Sequence, residues 1–208
     1  DDIQELRAHT EEIKSGDLVI PGRIEPAADD ATPEQVKQHH VRIHQLHFVH
    51  ELHERYLLHP RWLDVLEVLI GPDVMGMQTM LFLKQPGQVG QGYHQDSFYI
   101  QTLPDTLCGA WIAIDDADEE NGCLWVVPGS HRLPIQEHVL PEADHLQQEF
   151  REVPGAAEMD EIPVPLRSGS CLFFDGRLLH RSSHNHSARD RACYVIHNTS
   201  ADTVFRMG

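Results

Sequence analysis

Positive charge is scarce in this sequence: 16 Lys and Arg stand against 33 Asp and Glu, for a formal net charge of -17. That balance repels nucleic-acid phosphates and anionic lipid surfaces, so no nucleic acid and no membrane is expected as a partner. Long apolar runs are missing as well. The stretches at 65–70, broken by Glu67, and at 108–114 fall far short of the roughly 20 residues that a membrane span needs. No signal-like segment opens the chain, which points to a cytoplasmic protein, although a start at Asp1 rather than Met fits a trimmed sequence. Cysteine is sparse: Cys108, Cys123, Cys171 and Cys193 form no C-x-x-C pair, and three of them sit in apolar runs, as reduced core thiols do.

What the chain has in quantity is histidine, 16 in 208 residues, so stability and solubility are expected to change as pH falls toward the usual imidazole range. The length suits a single domain, 1–208, and no repeats or low-complexity tracts divide it. Two parts are expected within it: a helical N-terminal part over 1–72 packing on a β-rich core over 73–208. Apolar spacing and stop signals predict helices at 2–15, 33–56 and 60–70, the last ended by Gly71-Pro72. Short runs rich in Val, Ile, Phe, Trp and Leu predict strands near 74–84, 92–101, 107–114, 123–127, 161–166, 170–174, 177–183 and 191–199. Eight such strands suggest a double-sheet jelly roll, with sandwich and barrel arrangements sharing the signature. Glu119-Glu120-Asn121-Gly122 reads as a hairpin turn, and 132–160 as a long irregular segment of the kind that forms lids or binding loops.

Two short stretches carry the chemistry: Tyr93-His94-Gln95-Asp96, and His180-Arg181-Ser182 followed by Arg191. Two histidines and a carboxylate are the ligand set of non-haem iron sites that leave positions open for substrates. On a strand, His94 and Asp96 would share one face, with Gln95 pointing away. Yet about one His-x-Asp triplet is expected by chance in so histidine-rich a chain, so context must decide. His180 is preferred to His184 and His186 as third ligand, because it ends an apolar strand while they lie in a polar Ser-Asn-His turn. The cluster His39, His40, His44, His47, His50, His53 and His59 lacks acidic or cysteine partners and reads as a polar helix face.

The stretches 74–84, 92–100, 109–114, N-G-C-L-W-V-V-P-G-S-H at 121–131 and S-C-L-F-F-D-G-R-L-L-H-R-S at 170–182 resemble, in order, the phytanoyl-CoA dioxygenase family of iron and 2-oxoglutarate oxygenases. The resemblance runs over roughly 42–203. It implies a mainly β fold with N-terminal helices around a double-stranded β-helix, that is, a jelly-roll, cupin-like core. By motif it places Fe(II) on His94, Asp96 and His180, the far carboxylate of 2-oxoglutarate on Arg191 and Ser182, and Trp111, Gln78 and Arg42 near that cosubstrate. A guanidinium fork suits a carboxylate better than the point charge of lysine. The implied activity is O2-dependent oxidation, chiefly hydroxylation, of a small-molecule metabolite with release of succinate and CO2, by a monomer or weak homodimer. Asp96 separates this reading from similar halogenases, which lack the carboxylate. A non-catalytic metal-binding jelly-roll module, or a metal-dependent lyase or isomerase on the same scaffold, would carry the same ligands. The acidic balance argues against a coenzyme A thioester and toward a neutral or cationic substrate.

Overall fold

The computed structural model describes residues 1–28, 30–32, 35, 41–142 and 150–205, with the Phe205 side chain left out. The N-terminal helix α1 (Asp2–Ser15) begins at Asp1, whose carboxylate accepts the Gln4 N–H, and ends at Gly16, where φ is 79. Its buried residues Leu6, His9, Thr10 and Ile13 recur at helical spacing and form the face that packs inward. The predicted 33–56 helix is corrected over its described part. Residues Arg42–His44 form strand β1, Gln45 takes φ 56, Leu46–Phe48 make a single 3-10 turn, and only Glu51–Leu57 is helical (α2). Ile43 and Leu46 are both buried in this arrangement, so the apolar pattern that suggested a helix is satisfied by strand pairing instead. His39 and His40 lie outside the described residues. Helix α3 (Pro60–Ile70) matches its signals: Pro60 at the start, the His59 ring capping it, and Gly71 beyond its end. Full burial of Leu66 on its inner face contributes about 2 kcal/mol.

The remaining strands are β2 (Val74–Lys84), β3 (Thr102–Leu103), β4 (Cys108–Ala113), β5 (Leu124–Val126), β6 (Ile162–Val164), β7 (Cys171–Asp175), β8 (His180–Ser182), β9 (Arg191–Ser200) and β10 (Val204–Phe205). A five-stranded antiparallel sheet runs β1-β2-β9-β4-β7, a three-stranded one runs β6-β5-β8, and β3 pairs with β10. This is the jelly-roll arrangement. The turn at 119–122 is confirmed as a turn, with Gly122 at φ 91, but it joins the two sheets rather than closing a hairpin. The larger sheet has two different faces. Leu81, Leu83, Ala110, Ile112, Tyr194 and Ile196 bury against Leu6, Ile13, Tyr56, Trp62 and Leu66 of the helices. The alternate residues, among them Phe82, Trp111, Cys193 and Val195, face the smaller sheet. Because strand side chains alternate, every odd residue of β9 from Arg191 to His197 is turned to the space between the sheets.

Candidate active site

That space is a cavity of about 310 Å³, within the usual range for small-molecule sites. Aromatic and aliphatic walls enclose a set of polar groups, among them His94, Asp96, His180, Ser182 and Arg191. His94 and His180 are brought together by backbone: each N–H bonds the other's carbonyl, at 3.0 and 3.1 Å. The predicted strand at 92–101 is corrected here. After this single bridge the chain turns into α4 (Asp96–Tyr99), a helical turn whose first residue is Asp96. Asp96 therefore reaches His94 from a turn and not through the alternation of one strand. His180 likewise opens β8 after a turn; it does not close a strand.

Each of these imidazoles donates Nδ1–H to a carbonyl two residues back, His94 to Gly92 and His180 to Leu178, both at 2.9 Å. The Nε2 lone pairs are thereby turned to Asp96, lying 3.5 and 3.8 Å from its Oδ1. Burial, and after it the neighbouring His94 ring, lowers the His180 pKa to about 4, which leaves a neutral ligand at pH 7. Burial opposes ionisation of Asp96, but the His180 and His197 imidazoles and the hydrogen bond from His197 hold its carboxyl well below the usual range. One ring nitrogen or carboxylate oxygen from each of His94, Asp96 and His180 lies within 4.8 Å of the others. Two imidazoles and a carboxylate, converging on one wall of the cavity, fit a non-haem iron.

Arg191 and Ser182 line the same cavity. Arg191 is 3% exposed, its Nε has no hydrogen-bond partner, and it makes no ion pair among the described residues. Ser182 Oγ accepts from Lys84 Nζ at 3.0 Å and from the Gln91 N–H at 3.2 Å. Its own O–H is left to donate, and no protein acceptor for it is found among the described residues. Lys84, opposite Arg191 in the β2–β9 register, is also buried without a carboxylate among the described residues. Burial, then the Arg191 charge, pushes its pKa well below the usual lysine range. A buried guanidinium and a hydroxyl left to donate, with no protein anion against them among the described residues, suit a ligand carboxylate.

Trp111 and Gln78 also line the cavity, with the Arg191 guanidinium carbon 5.5 Å from the Trp111 ring centroid. Arg42 is not among the lining residues; it stacks 4.0 Å from the ring centroid of Phe150, which is. Of the histidine cluster, His44 lines the cavity, from a strand rather than a helix, whereas His47 bonds Thr79 and is not in the lining. His184 and His186 stack on each other outside it. Lys84, Gln91, Cys193 and His197 were not singled out from the sequence. The signal for the last two was strand parity: once Arg191 faces the cavity, residues 193 and 197 must as well.

The family model described as phytanoyl-CoA dioxygenase (PhyH) matches residues 1–193. The phytanoyl-CoA dioxygenase of Arabidopsis thaliana is 33% identical over 127 residues, 61% of this chain and 44% of that protein. The peroxisomal phytanoyl-CoA dioxygenase of Mus musculus is 30% identical and covers 97% of this chain and 62% of that protein. The chain spans about half the length of the curated relatives it matches. Among solved structures, SnoK, a non-heme alpha ketoglutarate dependent carbocyclase from nogalamycin biosynthesis, is 26% identical with a TM-score of 0.70, over 99% of this chain and 78% of that one. AviO1 from Streptomyces viridochromogenes Tue57 is 25% identical with a TM-score of 0.70, over 98% of this chain and 86% of that one. This chain belongs to the phytanoyl-CoA dioxygenase family.

Proposed function

We propose that the chain is an Fe(II)- and 2-oxoglutarate-dependent dioxygenase that hydroxylates a small-molecule metabolite and releases succinate and CO2. The observation that carries this reading is the pairing, in one cavity, of the His94, Asp96 and His180 group with the Ser182 hydroxyl and the Arg191 guanidinium, which meets Cys193 Sγ through one N–H and no carboxylate among the described residues. His94, Asp96 and His180 would hold the iron. When bound, it supplies the activation of oxygen that couples decarboxylation of the cosubstrate to oxidation of the substrate.

This chain's residues do the rest. Arg191 binds the far carboxylate of 2-oxoglutarate through two N–H donors, and Ser182 adds a third donor, oriented by Lys84 and Gln91. Trp111 bounds the cosubstrate pocket, and the apolar wall of Phe82, Leu124, Phe174 and Val195 excludes water. Gln78 positions His197, and His197 in turn holds the second oxygen of Asp96. Arg191 is the one Lys or Arg among the described lining residues and is taken by the cosubstrate, which supports a neutral or cationic substrate over a phosphate-rich thioester.

Succinate release in the presence of Fe(II), 2-oxoglutarate and oxygen tests the reading. A product gaining one oxygen atom identifies hydroxylation. Loss of two hydrogens would identify ring closure instead, the outcome named for SnoK. Absence of 2-oxoglutarate binding and of turnover would leave the metal-binding module, and turnover without oxygen the lyase or isomerase.

A further inference from the structure

On the opposite face of β9 from the cavity, three histidines from separate segments converge. His9 comes from α1, His50 caps α2, and His53 lies one turn into it. A ring nitrogen from each is within 4.8 Å of the other two. Their ring centroids are 4.6, 4.8 and 5.6 Å apart, with interplanar angles of 52, 66 and 73 degrees, so the rings converge and do not stack. A zinc–nitrogen bond of about 2.0–2.1 Å puts tetrahedrally arranged imidazole centroids roughly 5 Å apart. The trio already has that spacing.

The nitrogens are turned the right way. His9 Nε2 and His53 Nε2 face each other at 2.9 Å. His50 Nδ1 is used by the Leu52 N–H, which leaves its Nε2. His53 Nδ1 meets the Tyr194 hydroxyl at 2.9 Å, the outer-shell partner that fixes the tautomer of a ligating histidine. His9 is 5% exposed and His53 0%, while His50 is half-buried, so the open side of the trio is at His50. Burial, with neighbouring imidazoles behind it, lowers His9 to about 4 and His53 to about 2, and both offer uncharged rings at pH 7.

We propose that His9, His50 and His53 form a second metal site, separate from the cavity, that takes a borderline divalent ion of the zinc class and ties α1 to α2. Three imidazoles with no thiolate and no buried carboxylate favour Zn2+, Ni2+ or Cu2+ over Mg2+ or Ca2+. For the ion to enter, the proton between the two Nε2 atoms moves to His53 Nδ1, which then donates to Tyr194. No redox partner is required.

The test is a Zn2+ titration by calorimetry on chelator-treated protein in which the cavity ligands are removed by His94→Ala with Asp96→Ala. One equivalent is expected to remain in that background and to raise the melting temperature. Adding His50→Asn, which keeps a side chain able to cap α2, is expected to abolish both effects, and His9→Gln to do the same. No Zn2+ uptake in the background protein would overturn the site and leave the trio as hydrogen-bonded packing. Uptake that survives both His50→Asn and His9→Gln would overturn it equally. Metal-free melting of each variant separates lost ligation from lost fold. The outcome is independent of whether the cavity binds 2-oxoglutarate.

Discussion

His197 Nε2 lies 2.9 Å from Asp96 Oδ2, while His94 and His180 face the other oxygen, Oδ1. The carboxylate is thus divided, one oxygen for the proposed metal and one held by the protein. Gln78 Nε2 is 3.1 Å from His197 Nδ1, which makes that nitrogen the acceptor and Nε2–H the donor to Asp96. An irregularity in β2 between Gly76 and Gln78 sets Gln78 directly opposite His197 on β9.

Replacing His197 by Phe is therefore expected to weaken divalent metal binding at the cavity by roughly 10- to 100-fold, the usual effect of losing an outer-shell partner. Mn2+ binding followed by calorimetry reads this directly. An unchanged affinity would mean that Asp96 is held without His197.

Lys84→Met is expected to act in opposite directions on stability and on cosubstrate. Removing a buried amine that has no carboxylate partner among the described residues, and whose charged form burial disfavours, leaves the melting temperature unchanged or higher. The Ser182 hydroxyl then loses the donor that orients it, and the apparent KM for 2-oxoglutarate is expected to rise about tenfold, the effect of a charge-assisted contact of about 1.4 kcal/mol. A fall in stability with unchanged KM would make Lys84 a purely structural residue.

Gly90→Ala should be severe for a backbone reason. An added Cβ would enter the van der Waals shell of the Ser182 carbonyl oxygen, and both Ser182 and Ser183 backbones crowd it. The loop must move, taking Ser182 with it. A loss of about 2 kcal/mol or more in unfolding free energy, with weaker 2-oxoglutarate binding in the protein that still folds, is expected. Normal binding and melting would show that the loop yields freely.

Acid should destabilise the metal-free protein. His9 faces His50, His53, Glu5 and Glu12; His53 faces His9, His50, His47 and Tyr194. Their folded pKa values, about 4 and about 2, lie below the unfolded value near 6.5. Below about 6.5 the unfolded chain binds more protons than the folded one, so stability is full above that pH and falls toward pH 4. The slope approaches about 1.4 kcal/mol per pH unit for each such histidine. Thermal melts in chelator from pH 8 to 4 check this, and a flat profile would contradict it.

Much of this was legible in the sequence because local signals and tertiary demands agreed. Helices α1 and α3 and strand β2 occupy their predicted ranges, each with a cap, a glycine stop or a run of strand formers that nothing overrides. The segment at 42–57 was misread because Ile43 and Leu46 satisfy either periodicity, and only the pairing of Arg42–His44 with Met80–Phe82 decides between them. His94 and Asp96 were found for a reason that the fold does not use, the chain turning between them. Lys84 and His9 were invisible because their partners are distant in sequence and lie on other elements, Ser182 and His53.

The most direct test of the central claim is calorimetric binding of 2-oxoglutarate to the protein loaded with Mn2+, compared with Arg191→Ala. The wild type is expected to bind one equivalent, and Arg191→Ala to lose most of that affinity while still binding Mn2+ at the cavity. No binding by the wild type, or equal binding by Arg191→Ala, would contradict the assignment of this cavity to 2-oxoglutarate.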